Sequence, residues 1–221
     1  MSIEHALPAW RRATTGERRW PIALVVLVAA GLQLVLPEQV VLGSRWLMPA
    51  LVVGVLAVLA FTHVPFEHET ARRRRVSLVL TALVSVANLG VAARIVINLV
   101  SGQNDGPGML LVAGSAVWAT NIIAFALWYW QFDRGGPAAR ARGERTVPDF
   151  WFPQMQSDDL DPEWEPRFVD YLYVAFTNST AFSPTDTMPL SGWAKLMMML
   201  QSMISLVTVA LVVARAVNVL G

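Results

Sequence analysis

The residues with the means to do chemistry gather in the last quarter of the chain. Between 177 and 187 the sequence reads TNSTAFSPTDT. Thr180, Ser183, Thr185, Asp186 and Thr187 offer hydroxyl, carbonyl and carboxylate oxygens, the ligand type suited to hard or weakly held cations. A polar turn between two helices, with Asp186 merely solvated, is the competing reading of the same residues. Downstream, Gln201, Ser205, Thr208 and Arg215 fall at offsets of four, seven and fourteen, which is one face of a helix. In a membrane such a face must meet protein or water, so it either lines an aqueous path or forms hydrogen bonds between helices. Arg215, close to the helix end, has the further option of snorkelling to the headgroups.

Enzymatic classes find no support. There is no nucleophile elbow, phosphate loop or zinc-protease motif, cysteine is absent and the three histidines are dispersed. His63, Glu67, His68 and Glu69 have metal-ligand chemistry, but their spacing fixes no geometry, and a solvated loop is the simpler expectation. No catalytic residue, metal or cofactor is therefore expected.

The elements that must position these groups follow from composition. Hydrophobic residues make up 55% of the 221 and charged residues 15%, too apolar a balance for a soluble domain. Apolar runs at 21–36, 46–61, 76–100 and 109–132 approach the roughly 20 residues that cross about 30 Å of hydrocarbon, the first two being short without their flanks. Trp20, Trp46, Trp128 and Trp130 mark run ends, where amphipathic rings favour the headgroup region. The basic start before the first run resembles a secretory signal, but further apolar runs follow at once, favouring an uncleaved anchor.

Arginines cluster before the first run, between the second and third (Arg72 to Arg75), and after the fourth (Arg134, Arg140, Arg142, Arg145). By the positive-inside rule the amino terminus is cytoplasmic and the fourth helix returns the chain to that side. The Arg72 to Arg75 run suits anionic headgroups, so membrane lipids are expected partners. Nucleic acid is not, because these charges sit against the membrane and no recognition fold accompanies them. Arg94 lies inside the third run near Asn88 and Asn98, with Asn121 and Asp170 as candidate partners. An intramembrane charge marks a structural or functional polar site.

Three parts result: a four-helix transmembrane region (1–132), a polar cytoplasmic connecting segment (133–166) and a terminal unit (167–221). The first half of the connecting segment, rich in Gly, Pro and Arg, reads as a flexible surface stretch. Its second half mixes Phe150, Trp151 and Phe152 with acids and is expected against the membrane face or a neighbouring subunit. The terminal unit begins with a helix whose apolar part, 168–176, is too short to span, followed by the oxygen-rich loop and a long apolar helix.

This terminal unit resembles the pore region of the tetrameric potassium-channel superfamily, in which an aromatic-rich pore helix ends in threonines and leads into a Thr-Val-Gly-Tyr-Gly-Asp filter. A proline three residues beyond that aspartate and an inner helix complete the family pattern. Aligned without gaps, Asp186 takes the place of the filter aspartate and Pro189 that of the proline, while Ala181, Phe182, Ser183, Pro184 and Thr185 stand at the filter positions. The resemblance covers about the last fifty residues. It implies a re-entrant helix and loop, a homotetramer, cation conduction through residues 180–186, and a pore-facing role for Thr177, Asn178, Gln201, Ser205 and Thr208. Both filter glycines are missing and Pro184 lacks an amide, so a potassium-type filter is not expected. The arginine pattern puts the loop on the cytoplasmic side, an inverted arrangement like that of ionotropic glutamate receptors, unless 168–182 spans the bilayer instead.

The expectation overall is an all-α integral membrane protein with four amino-terminal transmembrane helices, a short re-entrant helix and loop, and a long final helix. Its expected function is weakly selective monovalent-cation conduction at the cell membrane. A non-conducting membrane scaffold and a small-solute transporter are the alternatives.

Overall fold

The structure, a computed structural model, describes residues 7–18, 20–36, 71–101, 107–157, 161–181 and 186–220 together with isolated positions between 38 and 53. The second apolar run and the loop carrying His63, Glu67, His68 and Glu69 therefore lie outside the described residues, isolated positions in the run excepted.

The chain is mostly helical. Helix α1 is Trp20–Val35, α2 is Ala71–Val100, α3 is Pro107–Phe132, α4 is the short Pro137–Ala141, α5 is Phe168–Ala181 and α6 is Gly192–Leu220. Three apolar stretches, Arg72–Leu99, Gly108–Gly135 and Gly192–Ala210, are long enough to cross a membrane, while α1 is a shorter apolar helix.

The centre of the bundle is α3. Its apolar window is 72% buried, against 33% for α2 and 28% for α6. Unbroken apolar sequence lets it pack all round: Ile122, Ile123, Phe125 and Leu127, which point in different directions, are all buried. Helices α1, α2, α5 and α6 surround it. Hydrogen bonds set the direction of α2, since Gln131 donates to Thr81 Oγ1 (2.5 Å), Trp128 to Ser85 Oγ (2.9 Å) and Asn88 to the Val117 carbonyl (3.2 Å). Numbers rise along α2 as they fall along α3, so the pair is antiparallel. Helix α6 is likewise antiparallel to α3, with Trp193 against Phe132, Gln201 against Tyr129 and Ser205 against Asn121.

The end of the bundle where α3 finishes and where α2, α5 and α6 begin is thus shared; it carries the arginine clusters and is called the basic end below. Here the connecting segment packs inward instead of running free. Phe150, Phe152 and Met155 are buried among Tyr129, Tyr171 and Trp164. Two short strands, β1 (Phe150–Trp151) and β2 (Met188–Pro189), pair antiparallel with Phe150 opposite Pro189 and Trp151 opposite Met188. At the far end a second apolar cluster joins Leu36 to Val91, Ile95, Leu110 and Val117.

The Gly, Pro and Arg stretch after α3 differs from the surface segment that its composition suggests. Arg134 and Arg140 are buried with Ala138, Ala139 and Ala141, because both guanidinium groups find backbone carbonyls. Arg134 donates from Nε to Arg145 O (2.7 Å) and from Nη1 to Trp10 O; Arg140 donates from Nη1 to Trp130 O (2.7 Å) and Asp133 O (2.9 Å). The amino-terminal arm closes over this layer. Ala9 N bonds Pro162 O (2.7 Å), Arg12 pairs with Glu163 (2.5 Å) and Thr14 Oγ1 donates to Glu165 (2.6 Å).

Candidate functional site

Two polar constellations stand out, one at the basic end and one part-way along α6. The first is built around Asp133, which is fully buried. Its Oδ1 accepts from the Asp149 amide (2.8 Å) and its Oδ2 from the Tyr171 hydroxyl (2.5 Å). Asp149 in turn accepts from the Arg134 amide (2.8 Å) and from Trp193 Nε1 (2.8 Å), while its carbonyl accepts from Leu190 N (2.8 Å). Arg140 lies 5.1 Å from the Tyr171 ring centroid. Two carboxylates and two guanidinium groups thus tie together the end of α3 and the starts of α5 and α6. Removing a partner from such a buried set leaves its donors unsatisfied, which is strongly destabilising, and the set joins the three helix ends.

Helix α5 begins against this knot. Asp170 reaches back to accept the Arg167 amide (2.7 Å), half of a capping box. Glu17, distant in sequence, accepts the Phe168 amide (2.8 Å) through Oε2 and the Trp130 indole through Oε1. Carboxylates at a helix start meet free amides and the positive end of the dipole. Burial nevertheless pushes the Glu17 carboxyl above its ordinary range; the two donated hydrogen bonds and the Arg140 charge oppose that shift without cancelling it. A cleft of about 20 Å³ lies beside Glu17, Arg134, Arg140 and Glu165, which is room for a water and too little for an organic solute.

The second constellation centres on Gln201, fully buried on α6. Its Oε1 accepts from Tyr129 OH (2.6 Å) and Asn178 Nδ2 (2.9 Å), and its Nε2 donates to Ala175 O (2.8 Å) and Ser179 Oγ (2.8 Å). Both lone pairs and both hydrogens of the amide are used. The network extends through Ser205 Oγ to Ser179 Oγ (3.0 Å), Asn121 Nδ2 to Ser205 Oγ (3.1 Å) and Ser202 Oγ to Asn178 Oδ1 (3.1 Å). Thr208, also buried, returns its hydroxyl to Ile204 O (2.7 Å).

The sequence-predicted residues therefore separate. Asn178, Gln201 and Ser205 come together, joined by Tyr129, Ser179 and Asn121, and they face other helices of the same chain. Thr177 and the exposed Thr180 lie on the outer side of α5, with their hydroxyls bonded to Tyr173 O and Phe176 O (2.8 and 3.0 Å). Asp186 is exposed and Thr187 buried. Phe182, Ser183, Pro184 and Thr185 lie outside the described residues, as do the side chains of Ala181 and Arg215. Arg94 donates to Val41 O (2.9 Å) towards the far end of α2, away from Asn121, which serves Ser205, and from Asp170, which caps α5. Asn88 turns instead to α3.

Sequence reasoning missed Asp133, Asp149, Tyr171 and Glu17. One signal was available: Asp133 directly follows an apolar run, where an acid must be solvated or paired. Its partners lie 16 and 38 residues onward. The chain matches no protein-family model, no curated protein and no solved structure.

Proposed function

We propose that this chain is a pore-loop membrane protein, an ion-channel subunit or a close functional equivalent, passing monovalent cations with weak selectivity. The observation that carries the reading is where α5 starts and where the chain next reappears. Phe168 sits at the basic end beside Trp130 and Glu17. Ser179 lies well down the bundle against Gln201 and Ser205, about 16 Å further along the helix axis. Met188 and Pro189 are back at the basic end, paired with Trp151 and Phe150, and α6 then starts there and runs the length of the bundle. A helix running down from the basic end, a chain found again at that end, and a long helix starting there support the order of parts in a pore-loop unit.

On this reading α3 is the outer helix, α5 the re-entrant pore helix and α6 the inner helix. The first two apolar runs complete four amino-terminal spans, the basic end is cytoplasmic, and four subunits surround the pore. The carbonyl end of α5 and the Asp186 ring supply negative potential for a cation.

Reconstitution into liposomes tests it. Wild type is expected to pass Na⁺ and K⁺, and Asp186→Asn to reduce cation flux several-fold while leaving assembly intact. If neither protein passes any monovalent cation, the channel reading falls. A non-conducting scaffold is the second reading, favoured by the consumption of the Gln201 and Ser205 face inside the chain and by the apolar character of the outward face. Leu196, Met199 and Met203 on that face are each more than 60% exposed. A scaffold would assemble through that face and carry no current.

A further inference from the structure

The apolar stretch that closes α3 and the one that opens α2 finish at the same end of the bundle, at Gly135 and Arg72. At that level the backbone turns through three consecutive residues with positive φ, Arg134 (53°), Gly135 (84°) and Gly136 (101°). The two glycines permit the turn, and they also permit close approach from above. A Cβ on Gly136 would lie 2.8 Å from Gln131 O and 3.7 Å from the Arg74 guanidinium. One on Gly135 would lie 3.4 Å from Arg145 Nε. Guanidinium groups from two separate elements, the start of α2 and the loop after α4, therefore each lie beside one of two adjacent glycines.

Both arginines are exposed, and together they add to a positive field at this turn that attracts an anion. Glu144 does not serve: it is exposed and taken up by Arg142 Nε at 2.5 Å. Its carboxyl is held below the ordinary range, first by that hydrogen bond and further by the Arg142, Arg145 and Arg74 charges, a sign of the local positive field. Among the described residues neither Arg74 nor Arg145 has a carboxylate within salt-bridge distance. In the last two turns of α3, just ahead of Gly135, Trp128 and Phe132 stack at 5.2 Å, with Phe132 partly exposed. Aromatic rings and exposed arginines at the end of an apolar helix suit a molecule with an anionic head and an apolar body.

We propose that Arg74 and Arg145, which flank the Gly135–Gly136 turn, hold the phosphate of an anionic phospholipid whose upper acyl chains rest on Trp128 and Phe132. The bidentate geometry of guanidinium suits phosphate oxygens. Occupancy would pin the start of α2 to the end of α3, making this a structural lipid site at the basic end. It stands independently of the channel reading, because it uses no residue of α5 or α6.

The test is native mass spectrometry of the full chain released from nanodiscs of mixed phosphatidylglycerol and phosphatidylcholine. Wild type is expected to retain phosphatidylglycerol in preference to phosphatidylcholine. Arg74→Gln and Arg145→Gln should each lower that preference about fivefold, and the double variant about thirtyfold, from the usual contribution of a basic residue near an anionic surface. Lysine at both positions should keep most of the preference, which separates loss of charge from misfolding, and the exposed Arg18→Gln and Arg167→Gln should leave it unchanged. A wild type with no preference overturns the proposal without any substitution. An undiminished preference in the double variant, an equal loss in the Arg18 and Arg167 controls, or displacement of the lipid by inorganic phosphate alone also overturns it, the last by making the site one for free anions.

Discussion

Replacing Gln201 with methionine removes four hydrogen bonds while nearly conserving side-chain volume, so the response isolates polarity from packing. Hydrogen bonds between membrane helices average about 0.6 kcal/mol in double-mutant cycles, which gives about 2.4 kcal/mol for four. The partners fare unequally. Asn178 keeps its bond to Met198 O (3.0 Å) and Ser179 keeps Ser205 (3.0 Å). Tyr129, fully buried, has no second acceptor among the described hydrogen bonds, and leaving its hydroxyl orphaned adds about 1–2 kcal/mol. The expected destabilisation is about 3.5–4.5 kcal/mol, read as the shift in reversible unfolding in mixed micelles followed by tryptophan fluorescence. Tyr129→Phe alone should destabilise by about 1 kcal/mol, since Gln201 Oε1 still has Asn178. Combined, the two substitutions should be less damaging than their sum by about 1–2 kcal/mol, because the second removes the orphan that the first creates. Additivity within about 0.5 kcal/mol, or a neutral Gln201→Met, would refute the claim that a saturated amide holds α3, α5 and α6 together.

Two further perturbations probe the basic end. Asp133→Ala leaves the Asp149 amide and Tyr171 hydroxyl without their acceptor and strips a carboxylate from beside two buried guanidinium groups, so a loss of about 3–5 kcal/mol is expected in the same unfolding assay. Asp133→Asn, which keeps one acceptor, should be clearly milder, and equal effects would count against the knot. For Glu17 the folded-state carboxyl titrates above its ordinary value of 4.5 because burial outweighs its hydrogen bonds. The native state then holds the proton more tightly than the unfolded chain, so this contribution is fully present below the unfolded value and fades as pH rises through the folded one. Glu17→Gln should abolish that slope, and a wild-type minus variant stability difference that stays constant with pH would show that Glu17 titrates normally.

Much of the architecture was legible because it rests on composition alone. The runs at 76–100 and 109–132 and the final helix read directly as α2, α3 and α6, and the polar face of Gln201, Ser205 and Thr208 was visible from its spacing. What that face meets was not. Periodicity tells which residues share a side of a helix, whereas the choice between water and protein depends on where Asn178, Ser179 and Tyr129 arrive from other elements. Arg134 and Arg140 were misread for a related reason: Gly, Pro and Arg are the composition of a solvated linker, and it is the carbonyls of Trp10, Trp130 and Arg145 that allow those guanidinium groups to be buried. The cap on α5 was half legible, in Asp170, and half hidden, in Glu17 151 residues away.

The two constellations have a joint consequence for α5. Fourteen residues make a helix about 20 Å long, too short to reach across a bilayer, so its depth is not set by a hydrophobic span as it is for α2 or α6. Something else must fix its position along the bundle. At its start, Tyr171 is bonded to Asp133 and the Phe168 amide to Glu17; towards its deep end, Asn178 and Ser179 are bonded to Gln201. A slip of one residue along the axis, about 1.5 Å, would break both sets at once, since each consists of bonds shorter than 3.0 Å with fixed partners. Two rigid anchors about 12 Å apart, from Tyr171 to Ser179, thus hold a short helix at one depth. On the proposed pore-loop reading, this double anchoring is what keeps the carbonyl end of α5 aimed at one place.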